Sequence, residues 1–373
     1  WVHQLISKSP HLSFSIIVLM PTKDDCKTHK YTVPNNVVEL QVLTLFDTDL
    51  SKEKAGFFSK TKKAVSLFKN SYKQFFSANY DNFQQLFDAI VNKQSRLVSP
   101  HTLFYSKAMW ELLLDFYKQW GQSKSFIDFI WACKFSHKPL FLLFDAPIPK
   151  AKAYHTVSTG YAGFLAVLAH FKTGRPFLIT EHGIYTNERR IEIEQAEWLK
   201  NAKAKEAHHI LKSTIPIKRL WIDFFDALSR VAYQFSHRII TLNERNQMLE
   251  FMGGADPKKS LIVPNGIVAE KRKLNAHTRT DTAHIGFVGR IVSIKDIKTF
   301  IRACKLVAAK HPKIKVSLFG PTDEEKSYFK ECQKLVKLLD LEKTLSFKGK
   351  VDLSTVLADI DCMVLTSISE GQP

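Results

Sequence analysis

GFVGRIVSIKD, residues 286–296, is preceded by the apolar AHI and followed by the amphipathic IKTFIRACKLVAAK. The first part predicts a strand that closes on Gly289. The last predicts a helix with Ile297, Phe300, Ile301, Cys304 and Val307 on one face. A strand that runs through a glycine turn into a helix is the repeating unit of a parallel α/β sheet. Such a turn presents backbone N–H groups and the positive end of a helix dipole, both of which favour an anion. Arg290 and Lys295 add full charges there, Arg as a planar fork that fits phosphate oxygens and Lys as a point charge. Phosphate binding is one reading of the pair. Chance is the other, because 54 of the 373 residues are Lys or Arg.

The same unit recurs on both sides. Downstream come KVSLFG (315–320), a helix from Glu324, TLSFKG (344–349), a short helix and DCMVLTS (361–367). Upstream, LSFSIIVL (12–19), VVELQVLTL (37–45), YHTV (154–157), PFLIT (176–180), HRIIT (237–241) and SLIVP (260–264) read as strands. Helical patterns lie among them at 160–171, 188–200, 220–235 and 244–252, the last with Asn243 as its cap. The polar AEKRKLNAHTRTDTA (269–283) separates the two series. The expectation is an α/β chain of two Rossmann-like domains, 1–265 and 266–373, facing a cleft with ligands beyond the C-terminal strand ends.

Residues 50–150 interrupt the first domain. They are rich in Phe, Lys and helix formers, and 51–76 carries seven Lys against one Glu. A helical insertion is expected. Its basic, aromatic mixture can bind nucleic acid or an anionic membrane surface, or it can be a solvated helix with Phe on its buried side.

The net charge of +18 points to an anionic partner: nucleic acid, an acidic membrane or a phosphate-bearing substrate. Cys26, Cys133, Cys304, Cys332 and Cys362 include no C-x-x-C pair, which argues against a zinc site and for free thiols in a reducing compartment. The most apolar run, 126–144, is broken by Asp128, Lys134, His137 and Lys138 and falls short of a membrane span. No signal peptide is evident, so a cytoplasmic location is expected, and the opening at Trp1 and the close at SEGQP read as those of a fragment truncated at both ends.

SISEGQP (367–373) follows a predicted strand. The carboxylate of Glu370 can accept hydrogen bonds from sugar hydroxyls, and the N–H groups after it can face a phosphate or a sugar ring. With Arg290 and Lys295 in the same domain, this places a polyol site beside a diphosphate site, the outline of a nucleotide-sugar.

These motifs resemble those of the retaining glycosyltransferases of family 4, which have the GT-B fold. VPNGI (263–267) resembles that family's interdomain turn, GFVGRIVSIKD its diphosphate segment, and FKGKVD (347–352) the stretch that packs against the nucleotide base near Val351. SISEGQP resembles the start of its Glu, seven residues, Glu motif, with Glu370 as the first Glu and the second beyond Pro373. HTVSTGYAGFLA (155–166) with TEHGIYTNERRIEIEQAEWL (180–199) is similar to the PelF-like branch, whose members usually carry a strand and a Gly-Gly loop before the helix that here starts at Trp1.

The resemblance implies a UDP-sugar donor, UDP-glucose or a UDP-N-acetylhexosamine, and transfer with retention to a growing Pel-like exopolysaccharide. It implies catalytic roles for His155, Arg290, Lys295 and Glu370, and donor contacts from Gly289, Val351, Ser369, Gly371 and Gln372. His155 has a second reading as a satisfied core histidine. His182, Tyr185 and Glu181 are acceptor-side candidates, although His182 can equally hydrogen-bond the turn at Gly183. Tyr185, Glu188, Arg189 and Arg190 can equally form an ion-paired helix start, and Arg190 can instead reach the acceptor. No metal or other cofactor is expected, and DTD (47–49) lies far from the donor half. The implied partner is an inner-membrane Pel synthase complex, with the chain peripheral to that membrane and nucleic acid not expected. Two rival functions stay open: a nucleotide-sugar epimerase on the same fold, and a non-catalytic basic binding protein.

Overall fold

The computed structural model describes residues 2–24, 32–46, 58–118, 125–195, 207–266, 282–352 and 356–370. The chain divides into two compact units, Trp1–Pro264 and Asn265–Pro373. The DTD stretch and most of the polar linker lie outside the described residues.

In the first unit a short helix, α1 (Val2–Ser7), precedes two strands, β1 (Phe14–Met20) and β2 (Val37–Thr44). Among the described residues these pair in parallel only with each other. Asn36 ties the connection down, its amide donating to the carbonyls of Ile6 and Ser9 at 3.0 Å. Among the described residues five α-helices follow, α2 (Phe58–Phe76), α3 (Phe83–Leu86), α4 (Pro100–Phe104), α5 (Lys107–Phe116) and α6 (Phe126–Phe144), with a π-helical segment Phe87–Val91 after α3. Ser99 and Ser106 cap α4 and α5 by accepting the N–H of Thr102 and of Met109.

The sheet then resumes as β3 (Tyr154–Thr156), α7 (Gly160–Thr173), β4 (Phe177–Glu181), α8 (Tyr185–Gln195), α9 (Ala207–Phe235), β5 (Arg238–Thr241), α10 (Glu244–Met252) and β6 (Ser260–Ile262). The four strands are parallel in the order β3-β4-β5-β6. Phe177 and Ile179 of β4 and Ile239 of β5 have no exposed surface, as expected of strands covered on both faces.

The helical insertion is present, but it is not a subdomain with its own core. Its aromatic side chains continue into the sheet's helices as one hydrophobic cluster. Phe83 lies 4.9 Å from Phe171 and 5.2 Å from Phe235 between ring centroids. His137 lies 4.7 Å from Phe224, and the Trp221 indole donates to the Ala132 carbonyl at 3.1 Å. Along α2, Ala64, Val65, Phe68 and Tyr72 face inward while Lys60, Lys62, Lys63 and Lys73 are exposed. That is the pattern of a solvated helix with its aromatics on the buried side.

The second unit carries β7 (His284–Val288), α11 (Ile297–Lys310), β8 (Lys315–Phe319), α12 (Lys326–Leu338), β9 (Leu345–Gly349) and β10 (Cys362–Met363). The order β10-β7-β8-β9 is again parallel throughout. Ile297, Phe300, Ile301 and Cys304 of α11 are buried against Phe287, Val316 and Leu318. His284 pins the opposite end of the sheet: its backbone N–H donates to Asp361 Oδ2 at 2.6 Å, and its ring nitrogens meet the Asp359 carbonyl and Ser317 Oγ. β10 is shorter than the apolar run 361–367 suggests, because Thr366 and Ile368 bond to the turn before α11 instead of to a strand.

Cys133, Cys304, Cys332 and Cys362 are free thiols, and Cys26 lies outside the described residues. Burial pushes Cys133 up to about 12 and Cys304 to about 11, which leaves both unreactive at neutral pH. Among the described residues no helix is long and apolar enough to cross a membrane.

Candidate functional site

The turn after β7 is stitched to the loop after β8. The Gly289 N–H donates to the Phe319 carbonyl at 2.8 Å and the Ile291 N–H to the Pro321 carbonyl at 3.0 Å. Gly320 makes this approach possible. Its φ is +149°, and a Cβ there would lie 1.9 Å from the Gly289 carbonyl oxygen. Ile291 and Val292 are buried, which leaves Arg290 exposed between them and the strand. Ser293–Lys295 form a single 3-10 turn, and α11 starts only at Ile297. Asp296 caps α11, accepting the Thr299 N–H at 3.3 Å.

The segment after β10 folds onto this turn. Thr366 Oγ1 donates to the carbonyls of Lys295 and Asp296 at 3.1 and 3.0 Å, and the Ile368 N–H donates to the Ile294 carbonyl at 2.9 Å. Lys295 Nζ thereby reaches Glu370 Oε1, which also accepts from Ser367 Oγ. Burial pushes the Glu370 carboxyl up, but the hydrogen bonds from Lys295 and Ser367 outweigh it, so its pKa falls below the ordinary value. Three of the residues singled out in the sequence, Arg290, Lys295 and Glu370, therefore share one end of the second unit. Ser369 and Val351 are half-buried, and Gly371 and Gln372 lie outside the described residues.

The sequence reading missed what faces these cations. Arg290 Nη1 donates to Glu324 Oε2 at 2.7 Å. The Ser293 N–H and hydroxyl both donate to the Glu325 carboxylate, at 3.1 and 3.2 Å. Glu324 and Glu325 belong to the loop PTDEE after β8 rather than to the start of a helix, so α12 opens at Lys326. The available signal was the doubled acid at one strand end and the doubled base at its neighbour. The two ion pairs differ in strength: Lys295 and Glu370 have 18% and 26% of their side chains exposed, Arg290 and Glu324 54% and 43%. The outer pair is screened by water and easily opened.

In the first unit, His155 lies within β3, opposite Leu178. The residue keeps exposed surface, its Nε2 lies 2.8 Å from Thr180 Oγ1, and burial lowers its pKa.

Glu181 departs from its expected role. It has no exposed surface, and its carboxyl faces inward to Thr159 Oγ1 at 3.3 Å, the Tyr185 N–H at 3.2 Å and the Tyr233 hydroxyl. It holds the β4–α8 turn together instead of reaching an acceptor. Burial raises its pKa to about 7. Glu250 on α10, which the sequence reading did not single out, is likewise fully buried. It accepts from Ser260 Oγ at 3.3 Å, and burial together with the neighbouring Glu181 raises it to about 7.

Tyr185 packs its ring over Gly160 (φ +68°), where a Cβ would lie 2.4 Å from the ring. The Arg189 guanidinium sits 5.3 Å from the same ring. Arg189 pairs with Glu192 at 2.8 Å and Arg190 with Asp226 at 3.2 Å, so the ion-paired start of α8 is present. His182 is half-buried beside Glu181, and burial lowers its pKa. Asn243 caps α10, accepting the Asn246 N–H at 2.9 Å.

Two α/β units, each on a parallel sheet flanked by helices, define a protein of the GT-B class. Residues 1–258 match the family described as Domain of unknown function (DUF3492), and the chain belongs to that family. Residues 270–373 match Glycosyl transferases group 1. Among solved structures, the chain is similar to Anabaena HepE in complex with UDP and glucose (16% identity, 58% of this chain and 53% of that one, TM-score 0.39). It is also similar to the sucrose-phosphate synthase of Thermosynechococcus elongatus (14%, 60% and 52%, TM-score 0.44) and to the lipopolysaccharide outer core galactosyltransferase WaaB (13%, 86% and 73%, TM-score 0.38). The chain spans about half the length of the first two. No curated protein matches it.

Proposed function

We propose that the chain is a PelF-like retaining glycosyltransferase, moving a hexose or N-acetylhexosamine from a UDP-sugar to a growing exopolysaccharide. The observation that carries this reading is the gathering of Arg290, Lys295 and Glu370 at one end of the unit that matches the group 1 glycosyltransferases. In such a reaction the barrier is charge separation as the diphosphate leaves an oxocarbenium-like sugar. Lys295 and Arg290 stabilise the charge that develops on the leaving group, each worth roughly 2.7–4 kcal/mol by analogy with a lost oxyanion donor. Glu370, an ionised acceptor, orients the sugar hydroxyls, and the cations do the work that a metal does elsewhere. His155, exposed at β3, is the candidate for a contact near the anomeric carbon. The acceptor attacks on the face the diphosphate leaves, and the departing phosphate takes its proton. Binding of the donor displaces Glu324 and Glu325 from the turn. The basic chain acts in the cytoplasm, docked on inner-membrane Pel machinery.

The test is Arg290→Ala with Lys295→Ala in the whole protein. Transfer from a UDP-sugar should fall by about 10²-fold or more, calorimetric UDP binding should be lost, and wild-type turnover should survive EDTA. Unchanged turnover in the double variant overturns the assignment, and release of an altered, untransferred UDP-sugar would make the enzyme an epimerase.

A further inference from the structure

Helices α5 and α6 carry more apolar surface than the sheet unit covers. On α5 the residues Met109, Leu113 and Phe116 recur at helical spacing and face inward, and Phe141 of α6 and Phe68 of α2 face them. These walls do not close on one another. Among the described residues they leave a cleft of about 290 Å³, open to solvent, on the helical insertion. That is nearly twice the roughly 150 Å³ of an apolar cavity that stays dry and accepts benzene.

The lining is nearly free of charge. His137, on the wall, has both ring nitrogens engaged: Nε2 with the Tyr72 hydroxyl at 2.5 Å, and Nδ1 with the Cys133 carbonyl at 2.9 Å. Its burial keeps it neutral. Among the described lining residues the one ionised group is Lys134, whose ammonium lies 5.1 Å from the Trp131 ring, with no carboxylate paired to it among those residues. Trp110 and Tyr105, also on the wall, are 46% and 48% exposed, so the cavity reaches the surface. An apolar chamber with one cation on its wall fits a molecule with an apolar tail and a single negative head.

We propose that this cavity binds the acyl chain of an anionic amphiphile, with Lys134 holding the head group. The site does not depend on the transferase reading, since no residue of the donor site lines it.

Decanoate, decanol and 11-bromoundecanoate are the probes. Titrating the whole protein with 11-bromoundecanoate should quench tryptophan fluorescence saturably, and Trp110→Phe should remove most of that quenching. Decanoate should raise the melting temperature, and Lys134→Gln should weaken decanoate binding about tenfold while leaving decanol binding unchanged. Met109→Phe with Leu113→Phe should fill the chamber and abolish binding of all three; Ile130→Phe fills it from the other wall if that variant fails to fold. Loss of co-sedimentation with phosphatidylglycerol vesicles in the filled variant would identify the ligand as a membrane lipid tail. Retention would identify it as a free acid. Unsaturable quenching, binding that survives the filled chamber, or equal decanoate binding by Lys134→Gln would overturn the proposal.

Discussion

The β4–α8 turn of the first unit and the β7–α11 turn of the second share a plan and differ in what answers their N–H groups. In both, a carboxyl of the same chain accepts a backbone N–H near the helix start: Glu181 takes that of Tyr185, and Glu325 takes that of Ser293. Glu181 sits on the strand itself, fully buried and held near neutral by its surroundings. Glu325 comes from the neighbouring loop and is half-buried beside an exposed ion pair. One turn has internalised its acid as part of the core. The other holds an acid that an incoming anion can replace. The same supersecondary unit thus gives a structural joint in one place and a candidate binding site in the other, and burial decides which.

The largest effect that would break this comparison is at Gly320. Gly320→Ala forces a Cβ into the Gly289 carbonyl, and should cost more than about 3 kcal/mol, seen as loss of the second unit's melting transition. A variant that melts normally would show that the two strand ends do not need to touch.

The next effect is on pH dependence. Burial holds Glu181 and Glu250 near 7, above the ordinary value of 4.5. The native state therefore binds more protons than the unfolded chain across that interval. Their contribution is fully present below about 4.5 and is lost as pH rises towards 7. His137, held by burial at about 4, acts in the opposite sense at acid pH. The difference between wild type and Glu181→Gln isolates the carboxyl: the variant should gain roughly 3 kcal/mol relative to wild type between pH 4.5 and 8. Parallel stability curves would mean that Glu181 is ionised in the fold.

The smallest effect sharpens the other half. Glu324→Gln with Glu325→Gln frees the basic turn and should tighten UDP binding about fivefold, close to 1 kcal/mol. Unchanged affinity would mean that the acids do not compete with the nucleotide.

The two series of strand and helix were legible because each obeys a plain hydrophobic period, and α10 and α11 fall where 244–252 and 297–310 predict them. The clustering of Arg290, Lys295 and Glu370 was legible because strand ends of a parallel sheet share one edge. Glu324, Glu325 and Glu250 were not, since the partner of a charge and the burial of a carboxyl depend on tertiary contacts that no local pattern carries. The character of the insertion was half legible. Its helices follow from composition, but its fusion with the sheet's core depends on where Phe83 and Phe144 meet Phe164, Phe171 and Phe235.

That fusion governs how the molecule can be taken apart. Excising 58–144 would strip the cover from Phe164, Phe171, Phe224 and Phe235 and leave an apolar surface that aggregates. For anyone trimming this protein for crystallisation or domain exchange, the insertion is not a removable cassette. The seam that leaves both hydrophobic clusters whole runs between Pro264 and Thr282.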